Sequence, residues 1–108
     1  MIHVIWQFVV KAEAVSQFER AYGRDGAWAQ LFSHHPGFAG TSLLRDATRP
    51  RTYLTIDTWE SRADRDAMLA ATKAEYAALD AGFDGWTESE TEIGMFDVVG
   101  RDVGRVLP

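Results

Sequence analysis

The 108-residue chain has no cysteine, little positive charge and no long apolar run. Without cysteine there are no disulfides, no thiolate metal site and no thiol nucleophile. Eleven Lys and Arg stand against sixteen Asp and Glu, a formal net charge of −5. Nucleic-acid binders instead need clustered cations against phosphates, and the basic residues here are scattered. No apolar run reaches the roughly 20 residues that span a bilayer. The start, Met1-Ile2-His3-Val4-Ile5-Trp6, lacks the basic opening and small-residue cleavage site of a signal peptide. Together these absences lead to an expectation of a cytoplasmic protein with neither a nucleic acid nor a membrane as partner. There is also no glycine-rich phosphate loop, no nucleophile-elbow motif and no cluster at metal-ligand spacing, so no metal is expected.

Almost half of the residues, 46%, are apolar, enough for the core of a single domain. Ile2 to Val10 is rich in β-branched and aromatic residues and reads as a strand. Ile2, Val4, Trp6, Phe8 and Val10 share one face, and His3, Ile5, Gln7 and Val9 the other. Both faces are apolar enough to be covered. Glu13 to Tyr22 reads as a helix, with Val15, Phe18 and Tyr22 on one side. After Gly23-Arg24-Asp25-Gly26, a short second helix presents Trp28, Leu31 and Phe32 and ends at Pro36-Gly37.

Phe38 to Arg45 and Arg51 to Glu60 read as a hairpin. Tyr53, Thr55, Asp57 and Trp59 share one face of its second strand and are expected at a subunit interface. Ser61, with Asp64 three residues on, opens a long helix to about Asp80. Its inward stripe is Leu69, Thr72, Tyr76, Leu79 and Phe83, flanked by Met68. Glu90 to Val99 closes the pattern. The order β-α-β-β-α-β predicts an α+β, ferredoxin-like domain over residues 1–99: a four-stranded antiparallel sheet with helices on one face, followed by a tail over 100–108. A second copy is expected to cover the open sheet face in a homodimer.

His35-Pro36-Gly37-Phe38, Leu43-Leu44-Arg45-Asp46, Tyr53-Leu54-Thr55-Ile56-Asp57 and Trp59-Glu60-Ser61 resemble the antibiotic-biosynthesis-monooxygenase-like family. The resemblance implies a dimeric α/β barrel, with a ligand pocket in each subunit between its sheet and helices. It also implies oxygenation of polycyclic phenols, or oxidative haem breakdown. The family's haem degraders use an Asn on the first strand and a Trp and a His on the long helix. This chain has no Asn; Trp6 or Gln7 stands at the first position and Met68 near the second. The expectation drawn from these departures is that no cofactor is bound, haem included.

Trp6, Phe8, Trp28, Phe32, Met68 and Trp86 are the candidates for contact with a small apolar or aromatic substrate, though such a stripe also suits a plain core. His35 is the candidate base, because imidazole titrates near neutrality; at a helix end it also suits dipole compensation. Tyr76 is the candidate donor to a ligand oxygen. Tyr53, Asp57 and Trp59 are assigned to the dimer interface, with Asp57 as a catalytic acid or base the other option. The residues leave two readings open: a monooxygenase for a small aromatic or quinone-like compound, and a non-catalytic dimeric binding or stress-related protein.

Overall fold

The computed structural model describes residues 1–100, so the expected tail lies, Gly100 apart, outside the described residues. The elements run β1 (Ile2–Val10), a 3-10 turn (Ala12–Ala14), α1 (Val15–Tyr22), α2 (Ala27–Ser33), β2 (Phe38–Arg45), β3 (Thr52–Trp59), α3 (Arg62–Ala71), α4 (Lys73–Phe83), a second 3-10 turn and β4 (Thr87–Asp97). The four strands form one antiparallel sheet in the order β2-β3-β1-β4, which is the ferredoxin-like arrangement expected. None of the described helices is long and apolar enough to cross a membrane.

The alternation of β1 sets the layering. Ile2, Val4, Phe8 and Val10 are buried beneath the helices with Phe18, Tyr22, Trp28 and Phe32. Aromatic rings meet closely there: Phe18 stacks on Tyr22 at 4.2 Å and Phe8 lies 5.0 Å from Tyr22. Opposed residues of an antiparallel pair share a face. The β1–β3 register pairs Ile2 with Trp59, Val4 with Asp57, Trp6 with Thr55 and Phe8 with Tyr53.

That register corrects the interface assignment. Tyr53, Asp57 and Trp59 lie on the helix side of the sheet, not on its back. Tyr53 and Trp59 are 2% and 1% exposed within the single chain. The strand's two faces carry comparable apolar content, so its own composition does not reveal which turns inward; the pairing with β1 decides it. The back is formed instead by Ile5, Leu54 and Ile56, with Leu44 and Phe96 exposed at its margins.

The long helix is also divided. Thr72 leaves helical geometry, with φ −117° and ψ 20°, and separates α3 from α4. Its hydroxyl donates to the Met68 carbonyl at 2.8 Å, a local bond known to bend helices. Ser61 caps α3 as expected: its Oγ accepts from the Asp64 N–H at 3.1 Å and donates to the Asp64 carboxylate at 3.0 Å. Gly37, at φ +86°, lets the chain turn into β2 beside that same Asp64 carboxylate, where a Cβ would collide.

β4 is an edge strand of 11 residues. Its register against β1 shifts between Ile5 and Trp6, and Glu88, Glu90 and Glu92 alternate along it.

Candidate functional site

A cavity of about 70 Å³ lies between the sheet and the helices. Val4, Trp6 and Phe8 of β1, Thr41 of β2 and Thr55, Asp57 and Trp59 of β3 form its floor. Tyr22, Trp28, Phe32, Met68 and Tyr76 close it from the helices, and Arg65, Asp80 and Glu90 complete the wall. Trp28 packs on Tyr76 with ring centroids 4.7 Å apart, joining α2 to α4 over this space.

Asp57 is the ionisable group of the floor. Its carboxylate accepts from Thr41 Oγ1 at 2.6 Å. Burial among apolar walls pushes its pKa up to about 6, opposed by the Thr41 bond and by the Arg65 guanidinium. A carboxylate tuned this way is ionised at neutral pH and still basic enough to take a proton. Burial also raises the pKa of Tyr22 and of Tyr76, so both hydroxyls keep their protons and can donate hydrogen bonds. Trp28 is 8% exposed, and its Nε1–H is buried without a hydrogen-bond partner. Its polar neighbour is the Tyr22 hydroxyl.

Of the expected ligand-contacting residues, Trp6, Phe8, Trp28, Phe32, Met68 and Tyr76 do line this cavity. Two do not. Trp86 stacks on Phe83 at 4.5 Å and is not part of the wall. His35 is also off the wall: α2 ends at Ser33, and the His35 backbone N–H donates to the Phe32 carbonyl in the turn that follows. The inward stripe of α2 therefore stops one turn short of it, and its assignment as catalytic base is withdrawn. Asp57 is the titratable group that the structure places on the cavity floor instead. Composition concealed it, since the register alone brings it under the helices. Arg65, Thr41, Asp80 and Glu90 were not anticipated; charges and hydroxyls on element surfaces carry no mark of the cavity they border. Among the described residues no group of three or more His, Asp or Glu is arranged to hold a metal ion.

An antiparallel sheet roofed by helices, with an aromatic cavity between them, defines a ferredoxin-like α+β protein. The chain belongs to the antibiotic biosynthesis monooxygenase family, which it matches over residues 1–79. Among solved structures, it is similar to MhuD, the haem degrader of Mycobacterium tuberculosis, at 26% identity and a TM-score of 0.68, over 96% of this chain and 100% of that one. SnoaB, a cofactor-independent oxygenase of Streptomyces nogalater, aligns at 21% identity and a TM-score of 0.72, over 95% and 97%. A conserved protein of Methanosarcina mazei aligns at 16% and 0.66, over 88% and 89%. No curated protein matches the sequence.

These likenesses correct the expectation that haem and every other cofactor are excluded. It rested on one missing Asn and one missing helix His. MhuD is described with two haems bound in its active site, so a member of this fold takes that group. In this chain, Tyr76 and Met68 are the wall residues of types that ligate haem iron. The cavity, about 70 Å³ and partly open to the surface, is smaller than the roughly 150 Å³ space that takes a benzene, so a porphyrin requires the wall to move. A ring-sized ligand requires the wall to yield, and α4 is the one helix of the wall without a buried residue.

Proposed function

We propose that this chain is an oxygenase that takes a small hydroxylated aromatic or quinone-like compound into the cavity between sheet and helices, with Asp57 as its base. The observation that carries this reading is a carboxylate with a pKa of about 6, held by Thr41, on the floor of an otherwise aromatic cavity. Asp57 removes the proton of a ring hydroxyl. The Arg65 guanidinium, on the same wall, favours the resulting anion, and the aromatic lining keeps water from it. That electron-rich anion reacts with dioxygen. One oxygen atom becomes a carbonyl at a ring carbon, which gives up its one hydrogen; that hydrogen and the hydroxyl proton leave with the other oxygen atom as water, and the phenol becomes a quinone. Tyr76 donates to a ligand oxygen, while Trp6, Phe8, Trp28, Phe32 and Met68 hold the ring by contact. Oxygen uptake on a panel of hydroxynaphthalenes and anthrones tests the reaction. Turnover by the wild type and its loss in Asp57→Asn support it; tight binding without uptake leaves a non-catalytic binding protein.

The likeness to MhuD favours haem as a second ligand. Titration with haem, read by the Soret band and compared with Tyr76→Phe, tests it; a band identical to free haem ends this second reading.

The back of the sheet, with Ile5, Leu54, Ile56 and Phe96, is the surface proposed to join two copies in a homodimer. Residues 1–99 form the one domain of this reading.

A further inference from the structure

The aromatic rings beneath the helices do not stop at the cavity. Tyr76, Trp28 and Tyr22 line it, and from Tyr22 a run of rings leads away from it. Trp28 lies 4.7 Å from Tyr76 and 6.1 Å from Tyr22, centroid to centroid. Tyr22 stacks on Phe18 at 4.2 Å, and Phe18 lies 5.1 Å from Tyr53. Each spacing is that of rings in contact. Tyr53 is not part of the cavity wall. Its hydroxyl donates to the Glu19 carboxylate at 2.5 Å, and the Glu19 side chain is 42% exposed. Tyr53 also borders a separate cleft of about 390 Å³, with Arg45, Thr48 and Arg51. The run therefore begins at the cavity and ends at a carboxylate in reach of solvent. Packing alone asks for rings; it does not ask for a phenol at the far end whose proton has an acceptor waiting. A phenol that loses an electron becomes a strong acid, and it forms a stable neutral radical only where its proton can leave. Among the described residues, Tyr53 is the tyrosine whose hydroxyl has a carboxylate partner.

We propose that these rings form a relay that carries oxidising equivalents out of the cavity: a radical formed there takes an electron from Tyr53 by way of Trp28, Tyr22 and Phe18, and Glu19 takes the Tyr53 proton. The relay rests on the oxygenase reading for its source of radicals, aryloxyl or peroxyl species formed when dioxygen meets the bound anion. The cavity radical gains one electron and becomes an anion. Tyr53 loses that electron and its phenolic proton and becomes a neutral phenoxyl radical, while Glu19 becomes protonated. Phe18 is not oxidised in turn; it is the contact through which the electron passes between Tyr22 and Tyr53. A solvent reductant of the ascorbate class, reaching Tyr53 through the cleft, returns the electron, and Glu19 returns the proton. Without this exit the radical oxidises what lines the cavity, Met68 and Trp28 foremost.

Pulse radiolysis supplies the oxidant directly, so the test needs neither substrate nor turnover. Azide radicals take an electron from indole side chains, and the indolyl radical is followed by its absorption. In the wild type the indolyl signal should decay as a phenoxyl signal rises, at a rate independent of protein concentration. Glu19→Gln keeps an acceptor for the Tyr53 hydroxyl but is a far weaker base, and it should slow the transfer by at least about tenfold. Tyr53→Phe should abolish most of the phenoxyl signal and leave more oxidised Trp28 and Met68 in peptide mass spectra. An undiminished phenoxyl signal in Tyr53→Phe overturns the relay, because the oxidation then stops at Tyr22 or Tyr76. An unchanged rate in Glu19→Gln overturns the proton exit. Lower melting temperatures in both variants with transfer unaltered reduce the Tyr53–Glu19 bond to a tether of α1 and overturn the relay as well. Absent oxygen uptake with the transfer intact removes the oxygenase reading and leaves the relay; uptake without the transfer removes the relay alone.

Discussion

Thr41 Oγ1 donates to the Asp57 carboxylate at 2.6 Å, across the β2–β3 pair and beneath the helices. The bond favours the ionised form, yet burial outweighs it and the pKa settles at about 6 instead of 3.8. This contest between a hydroxyl and an apolar wall has consequences for rate and for stability.

If Asp57 is the base, turnover requires its carboxylate. The rate should rise with pH through about 6 and then level off. Thr41→Val removes the opposing hydrogen bond and should move the midpoint upward. Initial rates of oxygen uptake from pH 4.5 to pH 8 provide the check; a midpoint unchanged by Thr41→Val would separate the profile from this carboxylate.

Stability should move in the opposite sense. A carboxyl whose folded pKa is raised binds its proton more tightly when folded than when unfolded. It contributes nothing below about 3.8, where both states are protonated, and destabilises the fold progressively up to about 6. Above that, the cost is at most about 3 kcal/mol for a shift of roughly two units. Asp57→Asn removes the ionisation and keeps an acceptor for Thr41. Urea titrations should show the variant more stable than the wild type at pH 8 and close to it at pH 4. Gained stability with lost turnover is the signature of a functional group in a costly position.

Gly37→Ala should destabilise the chain by about 2 kcal/mol or more. The new methyl must adopt φ +86° and enter space held by the Asp64 carboxylate, which also closes the cap of α3. Thermal unfolding is the measurement, and Asp64→Ala should recover part of the loss by clearing the space.

Two substitutions on β3 distinguish the faces of the sheet. Ile56→Glu changes the back, and light scattering should report twice the chain mass for the wild type and a folded monomer for the variant. Trp59→Asp changes the helix side at a residue 1% exposed, and it should unfold the chain instead, since loss of a buried Trp side chain alone costs about 3–5 kcal/mol. A folded, monomeric Trp59→Asp protein would contradict the register of β1 with β3.

Much of the fold was legible because its signals are local. Alternation in Ile2 to Val10, the Ser61–Asp64 cap and the turn before Phe38 each specify an element without reference to distant residues. The aromatic part of the site was readable for the same reason: Trp6, Phe8, Trp28 and Phe32 mark inward faces. What could not be read depends on pairing across the chain. Asp57 changes from interface residue to cavity floor according to whether it opposes Val4 or Ile5. The division at Thr72 was hidden too, because the apolar stripe runs through it unbroken, and only the hydroxyl's bond to Met68 marks the site. His35 continues the spacing of Trp28 and Phe32 in sequence, while the helix that would have carried it ends two residues earlier.

β4 carries features that oppose pairing with a foreign strand. It is the longest strand and lies at the sheet margin, where unpaired backbone groups can recruit a stranger's strand. A register fault interrupts its flatness, and glutamates at every second position from 88 to 92 would set like charges in rows against any incoming copy. Neutralising those three side chains would remove an electrostatic guard, and thioflavin-positive assemblies should then form at concentrations where the parent remains clear.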